Sequence, residues 1–263
     1  MDTKTVSIRN GMFTTSYLTG GRGRPLVFLH GAYGNAPLPL FDLLAENFTV
    51  YAPWHPGWGA ESPDDLDHLD DVIDLALYYQ DFFDALGLDR PVLVGHSFGG
   101  MVAAETAALC SPCLSRLVLI APIGLWRDEA PIPDIFTMSP KDLVPLVFND
   151  PESPIAQQML TPPDSQEEMA KRMLERAQAL AATGKFIWPI PDKGLKKRIH
   201  RVKTPTLILW GETDKLAPPV YAQDFHEKIA GSQLVMLPDA SHMVMVEQGP
   251  PVAEEIARFA REE

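Results

Sequence analysis

Three side chains in this chain of 263 residues have the types and settings for nucleophilic chemistry: Ser97, Asp214 and His242. Ser97 lies in Gly95-His96-Ser97-Phe98-Gly99, a match to G-x-S-x-G. A short apolar β-prone run ending at Val94 precedes it, and an alanine-rich run with strong helix propensity follows. A serine on such a turn needs small neighbours, because strand and helix converge too closely there for side chains. Its hydroxyl then projects at the top of the sheet, above a helix N-terminus that favours developing negative charge. A serine hydroxyl is a poor nucleophile at neutral pH and needs a base. Histidine suits, provided that a buried carboxylate accepts from its other ring nitrogen and fixes the tautomer. Asp214 and His242 each follow a β-prone run, Thr206–Trp210 and Gln233–Leu237. All three side chains are therefore expected at the carboxyl ends of parallel strands. The chemistry of such a trio is acyl transfer.

The elements that must position them alternate along the chain. Residues 4–9 and 12–18 alternate around Asn10-Gly11, which predicts an antiparallel hairpin. Strands are expected at 25–29, 48–53 and 116–122, and helices at 37–46, 68–86 (stopping near Gly87), 219–230 and 250–261. This rhythm implies a mostly parallel sheet covered on both faces. Between Ile123 and Lys203 it stops. Eight prolines from Pro131 to Pro163 divide that stretch, and one helix is expected at 164–183, with Met169, Met173, Leu174, Ala177 and Leu180 on its packed face.

The motifs resemble those of the α/β-hydrolase family. The order Ser97, Asp214, His242 is that family's order, and Gly211-Glu-Thr-Asp214-Lys-Leu-Ala-Pro218 is similar to its acid loop. His30-Gly31-Ala32-Tyr33-Gly34-Asn35 resembles the loop after its third strand, which implies an oxyanion hole made by the backbone N–H groups of Ala32 and Phe98. The resemblance implies an α/β fold with a mostly parallel eight-stranded sheet, helices on both faces and an inserted helical cap. The division would be core 1–122, cap 123–203 and core 204–263. Pocket candidates are Tyr33, Trp126, Trp188 and Met243. His30 is expected to hold its loop rather than act as a base, and Trp54 and Trp58 to pack theirs down. In the loop 54–63, where relatives carry an aspartate and an arginine, this chain has His55 and Pro56. Glu212, Asp239 and Asp128 are weaker acids for the trio on loop geometry, and His96 is expected to pack near the turn.

The function so implied is hydrolysis of small, fairly apolar carboxylic esters through an acyl-enzyme, with no metal or organic cofactor. Two alternatives stand beside it. One is a carbon–carbon bond hydrolase of ring-cleavage dienoates, because the run from Gly194 to Gly211 resembles the corresponding segment of those enzymes. They usually carry tryptophan after the catalytic histidine, where this chain has Met243. The other is a hydrolase-fold ligand receptor. A serine nucleophile argues against epoxide hydrolases and haloalkane dehalogenases of this fold, which use aspartate.

Composition narrows the partners. The chain is 46% hydrophobic with a net charge of −13, which disfavours nucleic acid and anionic membrane surfaces. No stretch has the apolar length of a membrane span, and the N-terminus is polar, so a cytoplasmic protein acting on a small-molecule ester or related carbonyl compound is expected, its oligomeric state open. The two cysteines, Cys110 and Cys113, close the serine helix; they cannot complete a zinc site alone and are expected as reduced thiols without function, with a labile disulfide as the alternative.

Overall fold

Short β-branched and apolar runs give eight strands of one sheet: β1 (Asp2–Ile8), β2 (Phe13–Gly21), β3 (Arg24–Leu29), β4 (Phe48–Pro53), β5 (Val92–His96), β6 (Arg116–Ile120), β7 (Thr206–Gly211) and β8 (Gln233–Leu237). The computed structural model describes residues 1–58 and 63–261, so part of the loop 54–63 lies outside the described residues. Strand order is β1-β2-β4-β3-β5-β6-β7-β8. β2 pairs antiparallel with β1 and β4, and the remaining pairings are parallel.

The period of two along the central strands sorts their side chains into two cores. Leu117 and Leu119 of β6 face one layer, and Val118 and Ile120 face the other. The first layer is closed by α2 (Val72–Ala85), α3 (Phe98–Leu109) and α7 (Val220–Lys228). The second is closed by α1 (Pro39–Ala45), α8 (Val244–Glu247) and α9 (Gly249–Arg261). Between β6 and β7 the chain leaves the sheet and forms α4 (Pro140–Val147), α5 (Pro154–Leu160) and α6 (Gln166–Ile187). Each starts on a serine, Ser139, Ser153 or Ser165, whose hydroxyl accepts a first-turn amide. Leu143, Val144, Val147 and Phe148 pack with Ala32 and Leu216, which brings this insert over the loops that follow β3 and β7.

Several expectations shift. The hairpin turn is longer than Asn10-Gly11, because Arg9, Asn10 and Gly11 all take positive φ and the pairing begins at Ile8 with Phe13. α2 starts at Val72 rather than 68, because the Asp71 carboxylate accepts the amides of Ile73 and Asp74 and fixes the first turn there. In α6 the expected face packs only in part, with Leu180 on the insert's apolar cluster. Met173 and Leu174 are 66% and 59% exposed, whereas Ala179, Ala182, Thr183 and Phe186 are buried. The buried positions of the helix all lie in its second half, so the apolar periodicity of its first half does not mark a core-facing side. Cys110 and Cys113 form a disulfide, not two thiols: the turn after α3 brings their Cα atoms to 5.5 Å, within bridging reach.

Candidate active site

Strand β5 runs straight into α3, with Ser97 the single residue between them, at φ 55° and ψ −116°. The turn is too tight for side chains on either flank. A Cβ on Gly95 would lie 2.3 Å from the Gly99 carbonyl oxygen, and one on Gly99 would lie 2.2 Å from that of Leu29. The Ser97 amide donates to Ile120 O at 3.0 Å, and Ser97 O accepts from the Ile123 amide, so the turn is clamped to the end of β6. This constraint holds a non-glycine residue at positive φ.

Asp214 lies in the loop after β7 and His242 in the loop after β8, and both come to Ser97. His242 Nε2 is 2.9 Å from Ser97 Oγ, and its Nδ1 is 2.8 Å from Asp214 Oδ2. The second carboxylate oxygen of Asp214 accepts from the amides of Leu216 and Ala217 at 2.9 and 2.8 Å, which fixes its plane. All three side chains are buried. Among the described residues, Glu212, Asp239 and Asp128 make no bond to His242, and Asp128 accepts the Trp126 indole N–H instead.

The histidine loop is tied to the insert. Met243 N donates to Val147 O at 2.9 Å, and the Glu247 carboxylate takes the amides of Ser241 and Asn149, each at 2.7 Å. His96 donates from Nε2 to the backbone carbonyl of His242 at 3.0 Å, so it supports that loop; burial, reinforced by the neighbouring His242, lowers its pKa to about 3.

His55 and His30 form a hydrogen-bonded pair of buried, neutral rings. The His55 amide donates to His30 Nε2 at 3.0 Å, which leaves His30 Nδ1–H to donate to Gly31 O at 2.7 Å. His55 Nε2–H donates to His30 O, and its Nδ1 accepts from the Tyr79 hydroxyl. Burial lowers His30 well below the usual imidazole range and His55 to about 4, so both rings stay uncharged.

Two residues that sequence reasoning did not assign to the site hold the loop of Ala32. Its carbonyl accepts from Trp58 Nε1 at 3.2 Å and from Thr183 Oγ1 at 2.9 Å, a hydroxyl whose one proton is shared with Ala179 O at 2.8 Å. Trp58 is stacked on Phe98 and on Phe186 of α6. Its place in a Gly/Pro loop signalled packing, but nothing in the local pattern pointed to Thr183, whose partner is 151 residues away.

A cavity of about 240 Å³ opens onto Ser97 and His242. Tyr33 and Met243 line it, together with Leu143, Val147, Met159 and Met245. Trp126 and Trp188 do not. Trp126 is turned to Asp128, and Trp188, at the end of α6 after buried Phe186 and Ile187, is 59% exposed. Among the described residues, no lysine or arginine lines it. Among the described residues, no three His, Cys, Asp or Glu side chains converge as metal ligands would, and no helix is long and apolar enough to cross a membrane.

The sequence profile of the alpha/beta hydrolase family matches residues 26–255. The chain belongs to that family. Among its relatives within the family, a 2-hydroxy-6-oxo-6-(2'-aminophenyl)hexa-2,4-dienoic acid hydrolase of Metapseudomonas resinovorans is 25% identical over 96% of this chain and 89% of its own. A pimeloyl-[acyl-carrier protein] methyl ester esterase of Vibrio cholerae is 24% identical over 91% and 95%. An esterase from Exiguobacterium antarcticum superimposes with a TM-score of 0.77 at 20% identity, covering 98% of this chain and 99% of that one, which speaks for the hydrolase fold.

Proposed function

We propose that this family member is a serine hydrolase of small, fairly apolar carboxylic esters, with Ser97 as nucleophile, His242 as general base and acid, and Asp214 as the group that orients His242. The observation that carries the reading is the continuous chain from Ser97 Oγ to His242 Nε2 and from Nδ1 to Asp214 Oδ2, at 2.9 and 2.8 Å. As Ser97 Oγ bonds to the ester carbonyl carbon, its proton passes to His242 Nε2. The carbonyl oxygen becomes an oxyanion held by the amides of Ala32 and Phe98. The Phe98 amide is the first of α3 and has no acceptor inside its own helix. The carbon–oxygen bond to the alcohol then breaks, and the departing oxygen takes the proton from His242. Water repeats the sequence on the acyl-enzyme, releasing the acid and restoring Ser97.

We read the insert between β6 and β7 as a cap over this centre, since Leu143, Val147 and Met159 supply apolar walls of the cavity. The same centre would serve a carbon–carbon bond hydrolase, and the similarity to the Metapseudomonas dienoic acid hydrolase favours keeping that reading second. An apolar cavity wall without lysine or arginine fits a neutral ester better than a dienoate carboxylate.

The test is p-nitrophenol release from acetate and butyrate esters, wild type against Ser97→Ala. Sustained turnover lost in the variant supports the reading. A burst without turnover points to a ligand receptor, and release that does not depend on Ser97 removes the serine mechanism.

A further inference from the structure

Ser97 lies between two compartments of different size, not at the end of one. The larger, about 240 Å³, is lined by His242 and Met243. The smaller, about 40 Å³, also reaches Ser97 and Ala32 but is walled by Ile123, Ile132, Pro133, Phe136, Pro189 and Pro191, and His242 is not among its lining residues. Ile135 and Leu216 border both and form the partition. At the edge of the small compartment, the Asp134 carboxylate is turned back to cap the Phe136 amide at 3.0 Å.

We propose that the small compartment receives the acyl substituent and the large one the alcohol, so that the substrates are short-acyl esters, acetyl or close to it, of bulky apolar alcohols. This rests on the serine-hydrolase reading above. The argument is one of proton delivery. A departing alkoxide must lie within hydrogen-bond reach of the imidazolium that protonates it, so the leaving group has to occupy the compartment that His242 lines. The substituent on the other side of the carbonyl carbon then points away from His242, into the small compartment. Three prolines among its six apolar walls have fixed φ, which limits how far the compartment can widen. Its volume, about a sixth of the other's, suits a methyl or ethyl group and excludes a long chain. Acyl transfer through Ser97 is unchanged; only the orientation of the ester is specified.

An isomeric pair separates this from a general preference for size. Octyl acetate and methyl nonanoate have the same atoms, with the carbonyl at opposite ends. Their hydrolysis is followed by acid release for wild type and Ser97→Ala, with p-nitrophenyl acetate as the common reference. The expected result is a kcat/KM at least about tenfold higher for octyl acetate, the scale on which pockets discriminate methylenes. Ile132→Ala, which removes a wall of the small compartment, should raise octyl butanoate hydrolysis relative to octyl acetate by about tenfold. Equal rates, or methyl nonanoate preferred, would overturn the orientation while leaving the serine-hydrolase reading intact. If even p-nitrophenyl acetate shows no Ser97-dependent turnover, that reading itself fails. The isomer comparison uses the unmodified protein, so it decides the matter even if Ile132→Ala does not fold.

Discussion

The ring of His242 lies between two partners far away in the chain: Ser97, 145 residues earlier, at 2.9 Å from Nε2, and Asp214 on its other nitrogen. Because Asp214 Oδ1 is already committed to the amides of Leu216 and Ala217, only Oδ2 can face the ring. In Asp214→Asn the oxygen will stay with those two amides and the NH2 group will point at Nδ1. That arrangement stabilises the tautomer that cannot accept the Ser97 proton. The expected outcome is a fall in kcat of about 10³- to 10⁴-fold with little change in melting temperature. Steady-state kinetics beside a thermal melt check it, and a fall below tenfold would show that Asp214 does not orient the base.

Glu247 ties the histidine loop to the insert through one carboxylate, with the Ser241 amide on Oε2 and the Asn149 amide on Oε1. Glu247→Gln keeps the shape but turns one acceptor into a donor facing an N–H. Losing a hydrogen bond to a charged group costs about 1.5–3 kcal/mol. Both kcat and melting temperature should fall, kcat by about tenfold as His242 loses its fixed place. A stability loss with unchanged kcat would mean that Met243 N to Val147 O and the Ser241 hydroxyl suffice to hold the loop.

Acid should unfold this protein early through its buried histidines. His55 and His96 have folded-state pKa values lowered to about 4 and about 3 by burial, and His30 is lowered as well. In the unfolded chain these rings titrate near the ordinary value of about 6.5. Below that pH the unfolded state therefore binds more protons than the folded one. Stability is unaffected above pH of about 6.5 and falls as the pH drops toward the folded values, by up to about 1.4 kcal/mol per pH unit per histidine. Melting temperatures at pH 7, 6 and 5 should fall along this slope, and His96→Gln should flatten it. An equal slope in the variant would count against His96 as a contributor.

How the sequence signals worked differs from residue to residue. Gly95, Ser97 and Gly99 were legible because a strand, a strained turn and a helix must follow one another within a few residues, and small side chains are the local condition for that. Asp214 and His242 were legible because each follows a strand whose carboxyl end faces the same side of a parallel sheet. The cavity walls were not. Trp188 was large and apolar, hence a pocket candidate, yet it faces outward, while Met159 and Val147 came to the site only through the docking of α4 and α5. Periodicity reports which face of a helix is apolar, not what the face meets, and Met173 and Leu174 illustrate this on α6. The bond between Cys110 and Cys113 stands in the sequence only as the alternative to two thiols, because composition does not report the local turn that brings their Cα atoms to 5.5 Å.

The insert is also held by a buried ion pair that sets a stability prediction. Glu105 of α3 is fully buried and accepts from Arg198 Nε at 2.7 Å and from its NH2 group at 2.6 Å. The Glu105 carboxylate holds the Arg198 guanidinium above its ordinary pKa. Removing the partner strands a carboxylate in the core, a change that costs about 3–5 kcal/mol. Arg198→Ala should therefore lower unfolding free energy by about 3 kcal/mol in denaturant titration. Arg198→Ala together with Glu105→Leu should recover much of the loss. No recovery would show that the guanidinium acts through Lys193 O, its other acceptor, rather than through Glu105.

Thr183 gives the sharpest test of whether the insert shapes the reacting centre. Its hydroxyl shares one proton between Ala32 O at 2.9 Å and Ala179 O of its own helix at 2.8 Å, and Trp58 also donates to the Ala32 carbonyl, so the loop assigned to the oxyanion is braced from α6 and from the loop after β4. Thr183→Val preserves shape and removes one donor. The Ala32 carbonyl keeps Trp58 as a partner, so the fold should lose only about 1 kcal/mol. An oxyanion amide matters more in the transition state than in the ground state, and a small displacement of it lowers kcat selectively. The expected outcome is a kcat reduced about tenfold with KM within about twofold. A rise in KM at constant kcat would instead place Thr183 in ground-state binding, as a wall of the site and not as a brace for its amide.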